Sequence, residues 1–76
     1  MERDKNKWIF QTRLKEERKI NGLTQKQMAE KLELAVRTYI NYEQKGANGR
    51  QPDLELLVKM ADILNVSIDY LLGRED

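Results

Sequence analysis

The sequence predicts an all-α fold, a compact domain of five short helices, and three observations support this class. Apolar residues recur at helical spacing along most of the chain. Residues that typically begin or end a helix separate these segments. The connections are short, so consecutive helices are expected to pack as neighbours. At 76 residues the chain should form one domain, residues 1–76, with a short polar arm over about residues 1–7.

The first two helices are marked most clearly by their ends. We expect the first helix to run from residue 7 or 8 to Ile20 and to stop at Gly22, which can adopt the left-handed conformation. The second helix follows Thr24, and Gln27 lies three residues further on. This spacing is that of a capping box, in which each side chain accepts a hydrogen bond from the other residue's backbone N–H.

The third helix is expected over residues 36–44. Only residues 33–35 separate it from the second helix, which requires a tight corner between the two. A loop follows over residues 45–52, which contain Gly46, Asn48, Gly49 and Pro52.

The last two helices are expected to begin after the capping residues Asp53 and Ser67. The fourth should end at Asn65, and the fifth should cover residues 68–72 and close at Gly73. The apolar positions that repeat at helical spacing in the fourth helix are Leu54, Leu57, Val58, Ala61 and Leu64.

The composition excludes several kinds of site. The chain has no cysteine and no histidine, which excludes disulfides, thiolate or imidazole metal sites, and Ser-His or Cys-His catalysis. We therefore expect no enzyme activity, no metal, no cofactor and no small-molecule ligand. No apolar run approaches the ~18 residues of a membrane span, so we expect a cytoplasmic protein with no membrane contact.

The segment over residues 25–44 has the pattern of a helix-turn-helix, whose second helix enters the major groove of DNA. Ala29 is the small residue expected where the two helices meet. The expected inner set is Met28, Leu32, Leu34, Tyr39 and Tyr42. The expected outward set is Val36, Arg37, Thr38, Asn41 and Gln44.

The outward residue types suit base contacts, because Arg pairs with guanine, Asn with adenine, and Val or Thr methyl groups with the thymine methyl. The net charge is only +1, so attraction to DNA would have to come from the local distribution of charge. The pattern alone also fits a plain helical hairpin with an arbitrary polar face.

Several segments together match one known family. They are Arg13-Leu14-Lys15 with Arg18, Gly22-Leu23-Thr24-Gln25, Met28-Ala29-Glu30-Lys31-Leu32, residues 38–43, residues 52–57 and residues 64–73. From Arg13 to Gly73 the chain resembles the Cro and phage-repressor type of helix-turn-helix, the XRE-like family. The resemblance implies a five-helix fold of the lambda-repressor-like type. It also implies a DNA-binding dimer that regulates transcription, and we expect a repressor rather than an activator.

The resemblance also implies roles for residues by position. The residues that would face bases are Val36, Arg37, Thr38 and Asn41. Those expected near the phosphate backbone are Thr24, Gln25, Tyr42, Gln44, Lys45 and Arg50. Arg18 and Glu43 match a family pair that bridges the first and third helices.

The sequence departs from the family pattern in three ways. Glu33 stands where the turn usually has glycine, and we expect it to adopt a left-handed conformation. Ala35 stands where a Ser or Thr usually caps the third helix. The loop after Gln44 is longer than is usual in the family.

We expect a homodimer, because a two-fold dimer matches the symmetry of an inverted-repeat operator. The expected contact lies in the fifth helix, which has more apolar side chains than so short a helix can turn inward. They are Ile68, Tyr70, Leu71 and Leu72. Part of this set should pack on the fourth helix, and the remainder would be available to a partner.

Another class of function stays open: an antitoxin or protein-interaction adaptor that uses the same fold to bind a protein. Such a surface should be apolar and contiguous, whereas the outward face of the third helix is mixed and polar. As a regulator, the protein would lie in the cytoplasm, on the nucleoid when bound to DNA.

Overall fold

The computed structural model describes residues 8–46 and 49–74. Within these residues the chain forms five helices and no strand. They are α1 (Ile9–Ile20), α2 (Gln25–Lys31), α3 (Val36–Glu43), α4 (Leu54–Leu64) and α5 (Ile68–Leu71). The predicted all-α, five-helix fold is confirmed, and the predicted arm over residues 1–7 lies outside the described residues.

α1 ends at the predicted glycine. Gly22 has a φ of 73°, and its N–H donates to the carbonyl of Lys19 with an N···O distance of 2.9 Å. This bond satisfies one of the carbonyls that the end of a helix leaves without a partner. Phe10 and Leu14, four residues apart, are both buried and set the inner face of α1.

The capping box at the start of α2 is present. The hydroxyl oxygen of Thr24 accepts the N–H of Gln27 at 3.0 Å, and Gln27 Oε1 accepts the N–H of Thr24 at 2.9 Å. The corner to α3 passes through Glu33, which has a φ of 61°. The predicted left-handed conformation is therefore confirmed. Ala29, the small residue expected at the corner, is buried.

Arg50, in the connection between α3 and α4, is hydrogen-bonded back to α3. The N–H of Arg50 donates to the carbonyl of Asn41 at 3.0 Å, and that of Gly49 donates to Gly46 at 3.1 Å. A Cβ atom on Gly49 would lie 2.5 Å from the carbonyl oxygen of Gln44, so any side chain there would collide with backbone. The hydrogen bond to Asn41 places Arg50 beside the end of α3.

The predicted starts of α4 and α5 and the end of α4 are confirmed, whereas α5 ends at Leu71, one residue before its predicted end. Asp53 and Ser67 each accept the backbone N–H of the residue three positions on, at 2.8 and 2.9 Å. Asn65 ends α4 with a φ of 59°, and Gly73 follows α5 with a φ of 79°.

The core is one cluster of buried apolar side chains. All five helices contribute to it, and so does Leu32, the residue that follows α2. Its members are Phe10, Leu14, Met28, Ala29, Leu32, Tyr39, Tyr42, Leu57, Met60, Ala61, Leu64 and Leu71.

The inner stripe of α4 differs from the predicted one. Met60 is buried, whereas Leu54 and Val58 are 80% and 44% exposed. Val58 follows Leu57 by one residue, which rotates it by about 100° around the helix and away from the core. Leu54 lies in the first turn, where its neighbours in sequence are also exposed.

The apolar residues of α5 divide between the core and the surface. Leu71 is 0% exposed, while Ile68 and Tyr70 are half-buried and Leu72 is 43% exposed. The guanidinium of Arg13 lies 4.1 Å from the centre of the Tyr70 ring, and its Nη1 donates to the Tyr70 carbonyl at 2.6 Å. The prediction that Leu71 contributes to a dimer contact is therefore wrong, because its side chain is completely buried in the core.

Candidate nucleic-acid interface

The outward surface of α3 carries the residues predicted to contact bases. Val36 and Arg37 open the helix and are exposed, and Thr38 and Asn41 are half-buried. Arg37 and Thr38 each neighbour Asn41 on the helix surface, because Asn41 lies four residues after Arg37 and three after Thr38. Val36, 41% exposed, adds an apolar side chain at the start of the same helix.

Cationic residues lie beside the other end of α3. Gln44 and Lys45 follow the helix directly and are exposed. Arg50 is also exposed, and its backbone hydrogen bond to Asn41 holds the loop there. The Arg50 guanidinium lies 5.9 Å from the centre of the Tyr42 ring, a distance at which a cation is attracted to an aromatic face.

The inward surface of α3 is anchored in the core by Tyr39 and Tyr42, which are both buried. Tyr42 is 7% exposed. Its expected phosphate contact would have to use this small exposed part of the residue.

A buried ion pair joins α3 to α1. The Nε atom of Arg18 donates to Glu43 Oε2 at 2.6 Å, and Arg18 Nη2 donates to Glu43 Oε1 at 3.2 Å. This is the pair that the family resemblance implied. Arg18 Nη1 also donates to the carbonyl of Leu23 at 2.7 Å, so the guanidinium is bonded on several sides. The pair fixes the position of α3 relative to α1.

Glu43 has two more donors that sequence reasoning missed. The Tyr39 hydroxyl donates to its Oε2, and Gln25 Nε2 donates to its Oε1 at 3.2 Å. Tyr39 lies four residues before Glu43, so the two share a helix face, and this spacing is the signal that could have indicated the contact. No comparable signal exists for Gln25, which lies in a different helix.

The pKa shifts in this network favour an ionised Glu43 carboxylate beside a protonated Tyr39 hydroxyl and a protonated Arg18 guanidinium. Burial favours the neutral form of Glu43, but hydrogen bonds from Arg18, Tyr39 and Gln25 outweigh it and hold the pKa of Glu43 below its ordinary value. Burial, together with the hydrogen bond to Glu43, raises the pKa of Tyr39 above its ordinary range. The hydrogen bond with Glu43 also raises the pKa of Arg18. Glu43 is the only acidic residue of α3. Its negative charge is paired with the guanidinium of Arg18.

The start of α2 borders this network. Thr24 is exposed, and Gln25 is half-buried. The hydrogen bond from Gln25 to Glu43 positions its amide between α2 and α3. The predicted phosphate contact of Gln25 would therefore come from a side chain whose position is set before any ligand binds.

The described part of the chain has neither a metal-binding cluster nor a membrane-spanning helix. Residues 8–46 and 49–74 hold no group of three or more acidic side chains placed to bind a metal ion. None of the helices described is long and apolar enough to cross a membrane.

Residues 14–71 match the model of a protein family described as helix-turn-helix. The match covers both helices of the corner, the ion pair and the core of α4. No solved structure matches the chain.

Curated relatives carry the same kind of domain within longer chains. The chain is 45% identical over 64 residues to the HTH-type transcriptional regulator ImmR of Bacillus subtilis (strain 168), an alignment that covers 84% of this chain and 48% of ImmR. It is 42% identical over 62 residues to the cryptic phage CTXphi transcriptional repressor RstR of Vibrio cholerae, covering 82% of this chain and 53% of RstR. The chain thus spans about half the length of these relatives.

Proposed function

The chain belongs to the helix-turn-helix family, and from that premise we propose that it is a sequence-specific DNA-binding protein that regulates transcription. α3 would lie in the major groove. The observation that carries the proposal is the outward face of α3: polar side chains suited to base contacts lie on a helix that a buried ion pair ties to α1.

The proposed contacts fall into two groups. Arg37, Thr38 and Asn41 would contact base edges, with the Val36 methyl groups against a thymine methyl. The residues proposed to contact phosphates are Thr24, Gln25, Tyr42, Gln44, Lys45 and Arg50. Base contacts would determine which sequence is bound, and phosphate contacts would contribute affinity without sequence information.

We propose an inverted-repeat operator with half-sites about one helical turn apart, ~34 Å. One α3 contacts only a few base pairs, so two protomers related by a two-fold axis would double the sequence that is read. A repressor is favoured over an activator because RstR, one of the relatives, is named a transcriptional repressor. Such a protein would act in the cytoplasm, on the nucleoid when bound to DNA.

An antitoxin or protein-interaction adaptor is the less favoured function. Its partner surface should be apolar and contiguous. Among the described residues of α3, Val36 is the only exposed large hydrophobic one. Mixed polar side chains surround it, which suits DNA better than an apolar protein surface.

Binding-site selection from random duplexes, at two salt concentrations, tests the proposal. We expect an inverted-repeat motif to be enriched, with affinity falling steeply as salt rises because phosphate contacts release counterions. A selection that enriches no motif would overturn the specific-regulator function.

Asn41→Ala provides a residue-level test of the same function. Removing one base contact should relax the preference at one position per half-site, at a discrimination cost of about 1–3 kcal/mol. Lys45→Ala is the matched control: it should weaken binding to all sequences and leave the motif unchanged. A motif that Asn41→Ala leaves unchanged would remove Asn41 from the base contacts.

A further inference from the structure

A polar groove lies between α1 and the end of α3, outside the base-contacting surface. It has a volume of about 550 Å³, and its lining includes Gln11, Lys15, Glu16, Lys19, Glu43 and Lys45. The α1 residues follow one another at the spacing of a helix face. Lys45 lies two residues after the end of α3, so the groove is continuous with the surface proposed to lie on DNA.

The charge of the groove is predominantly positive. Lys15, Lys19 and Lys45 are all exposed, and their ammonium groups can reach a ligand. Two carboxylates also line the groove, but that of Glu43 is already bonded by Arg18. Three ammonium groups therefore face the single remaining carboxylate, that of Glu16, in a chain whose net charge is only +1.

The groove also offers a neutral donor. Gln11 lines the groove and is 6% exposed. An amide NH₂ beside ammonium groups is a combination that suits phosphate oxygens, which accept several hydrogen bonds at once.

We infer that this groove is a second phosphate-binding surface, formed by Lys15 and Lys19 of α1, which holds the DNA backbone next to the strand contacted by Lys45. The inference rests on the proposed function. Lys15 and Lys19 lie four residues apart, about 6 Å along the helix axis, so both can bind the same stretch of backbone. DNA is favoured over an acidic peptide because Lys45 belongs both to the groove and to the border of α3.

The double variant K15Q/K19Q tests the inference. Glutamine removes each charge and keeps an amphipathic, helix-forming side chain. The matched control is K31Q/K59Q, which removes two exposed lysines that do not line the groove. Circular dichroism and thermal unfolding establish that all variants are folded. The probe is a duplex that carries the selected inverted repeat and extends one helical turn beyond each half-site.

The measurement is the dissociation constant as a function of salt. Each lost phosphate contact lowers the slope of log affinity against log salt by about 0.9, so K15Q/K19Q should lower it by about 1.8 per protomer. Between about 50 and 200 mM salt, the affinity of the wild-type protein should then fall about tenfold more per protomer than that of the variant. The control should keep the wild-type slope, and both proteins should select the same motif.

The outcomes separate this inference from the proposed function. An unchanged slope in K15Q/K19Q, or an equal change in K31Q/K59Q, overturns the inference that the groove binds phosphate. Either result leaves the proposed function unaffected. If the wild-type protein binds DNA but selects no motif, the sequence-specific function is overturned. The same salt slopes are then measured on a random duplex, and they show whether the groove binds phosphate. Another outcome is an unchanged slope while the wild-type protein binds polyglutamate and K15Q/K19Q does not. That result would assign the groove to an acidic protein partner instead. Absence of any DNA binding by the wild type overturns both.

Discussion

At the scale of single residues, two non-glycine positions among residues 8–46 and 49–74 have a left-handed backbone. Glu33 has a φ of 61° and Asn65 a φ of 59°. Asparagine tolerates this region comparatively well, whereas a longer side chain does not. The two residues therefore occupy similar conformations at different costs in free energy.

Glu33→Gly should raise the melting temperature. The left-handed conformation costs a non-glycine residue about 1–2 kcal/mol, while glycine's greater unfolded-state entropy costs about 0.5–1 kcal/mol. A net gain of about 0.5–1 kcal/mol corresponds to several degrees in a domain of this size, at about 4–8 °C per kcal/mol. Thermal unfolding by circular dichroism measures the shift. Asn65→Gly is the control and should gain less; an equal gain, or a lower melting temperature for Glu33→Gly, contradicts the strain at Glu33.

Also at this scale, removing one member of the Arg18–Glu43 pair should cost more than removing both. Arg18→Met leaves a buried carboxylate without its cation, a change that costs about 3–5 kcal/mol in comparable pairs. R18M/E43M removes both charges and should be less destabilised than R18M. Urea unfolding of the single and double variants measures this coupling. Tyr39→Phe is the control, because it removes only one hydrogen bond to Glu43; additive single and double costs would contradict the coupling.

The same variants provide a pH test with a definite sign. Because the pKa of Glu43 is lower in the folded state, its contribution to stability is present above the unfolded-state pKa. That contribution is lost as pH falls through the lower, folded-state pKa. The stability difference between the wild-type protein and R18M/E43M should therefore shrink below about pH 4. A difference that stays constant down to about pH 2 would show that Glu43 titrates normally.

At the scale of helices, α2 and α3 differ at their starts. α2 has a complete capping box, whereas Ala35 begins α3 in an extended conformation with no side-chain hydrogen bond. α3 is thus held by its contacts with the core and with Arg18, not by its own first turn.

Ala35→Ser should stabilise the protein by about 1 kcal/mol, because the serine oxygen can accept a free N–H in the first turn of α3. Thermal unfolding should show an increase of about 4–8 °C. Thr24→Ala is the reciprocal control and should lose a similar amount, because it removes the existing cap of α2. A loss in Thr24→Ala without a gain in Ala35→Ser would show that the start of α3 cannot accept a cap.

At the scale of the whole molecule, the exposed apolar residues suggest where two protomers would meet. Leu72 is 43% exposed and borders a cleft of about 360 Å³ that is also lined by Trp8, Pro52 and Leu57. This cleft is formed by the start of α1, the start of α4 and the end of α5, so it leaves the outward face of α3 free. Ile68 and Tyr70 are half-buried and would contribute less area.

Leu72→Glu should therefore weaken binding to an inverted repeat and leave binding to an isolated half-site unchanged. Burying a leucine contributes about 1.5–3 kcal/mol, so the loss should be tenfold or more, at about 1.4 kcal/mol per factor of ten. Ile20→Glu is the matched control, because Ile20 is 73% exposed at the far end of α1. Sedimentation of free and DNA-bound protein counts the protomers. One protomer per inverted-repeat site at saturation would end the dimer proposal.

Helix boundaries and the outward face of α3 could be predicted from the sequence, because both depend on interactions within a few residues. Thr24, Asp53 and Ser67 each cap the residue three positions on. The polar stripe of α3 follows from helical periodicity alone. Family resemblance added the left-handed turn at Glu33 and the pairing of Arg18 with Glu43.

Only the tertiary structure decided how each helix is rotated toward its neighbours. That rotation buries Met60 and exposes Val58, although both are apolar residues of α4. It also buries Leu71, exposes Leu72 and brings Gln25 to Glu43 across two helices. A periodic pattern defines a face, but several apolar residues can satisfy it equally, and the contacts of the neighbouring helices determine which of them are removed from water.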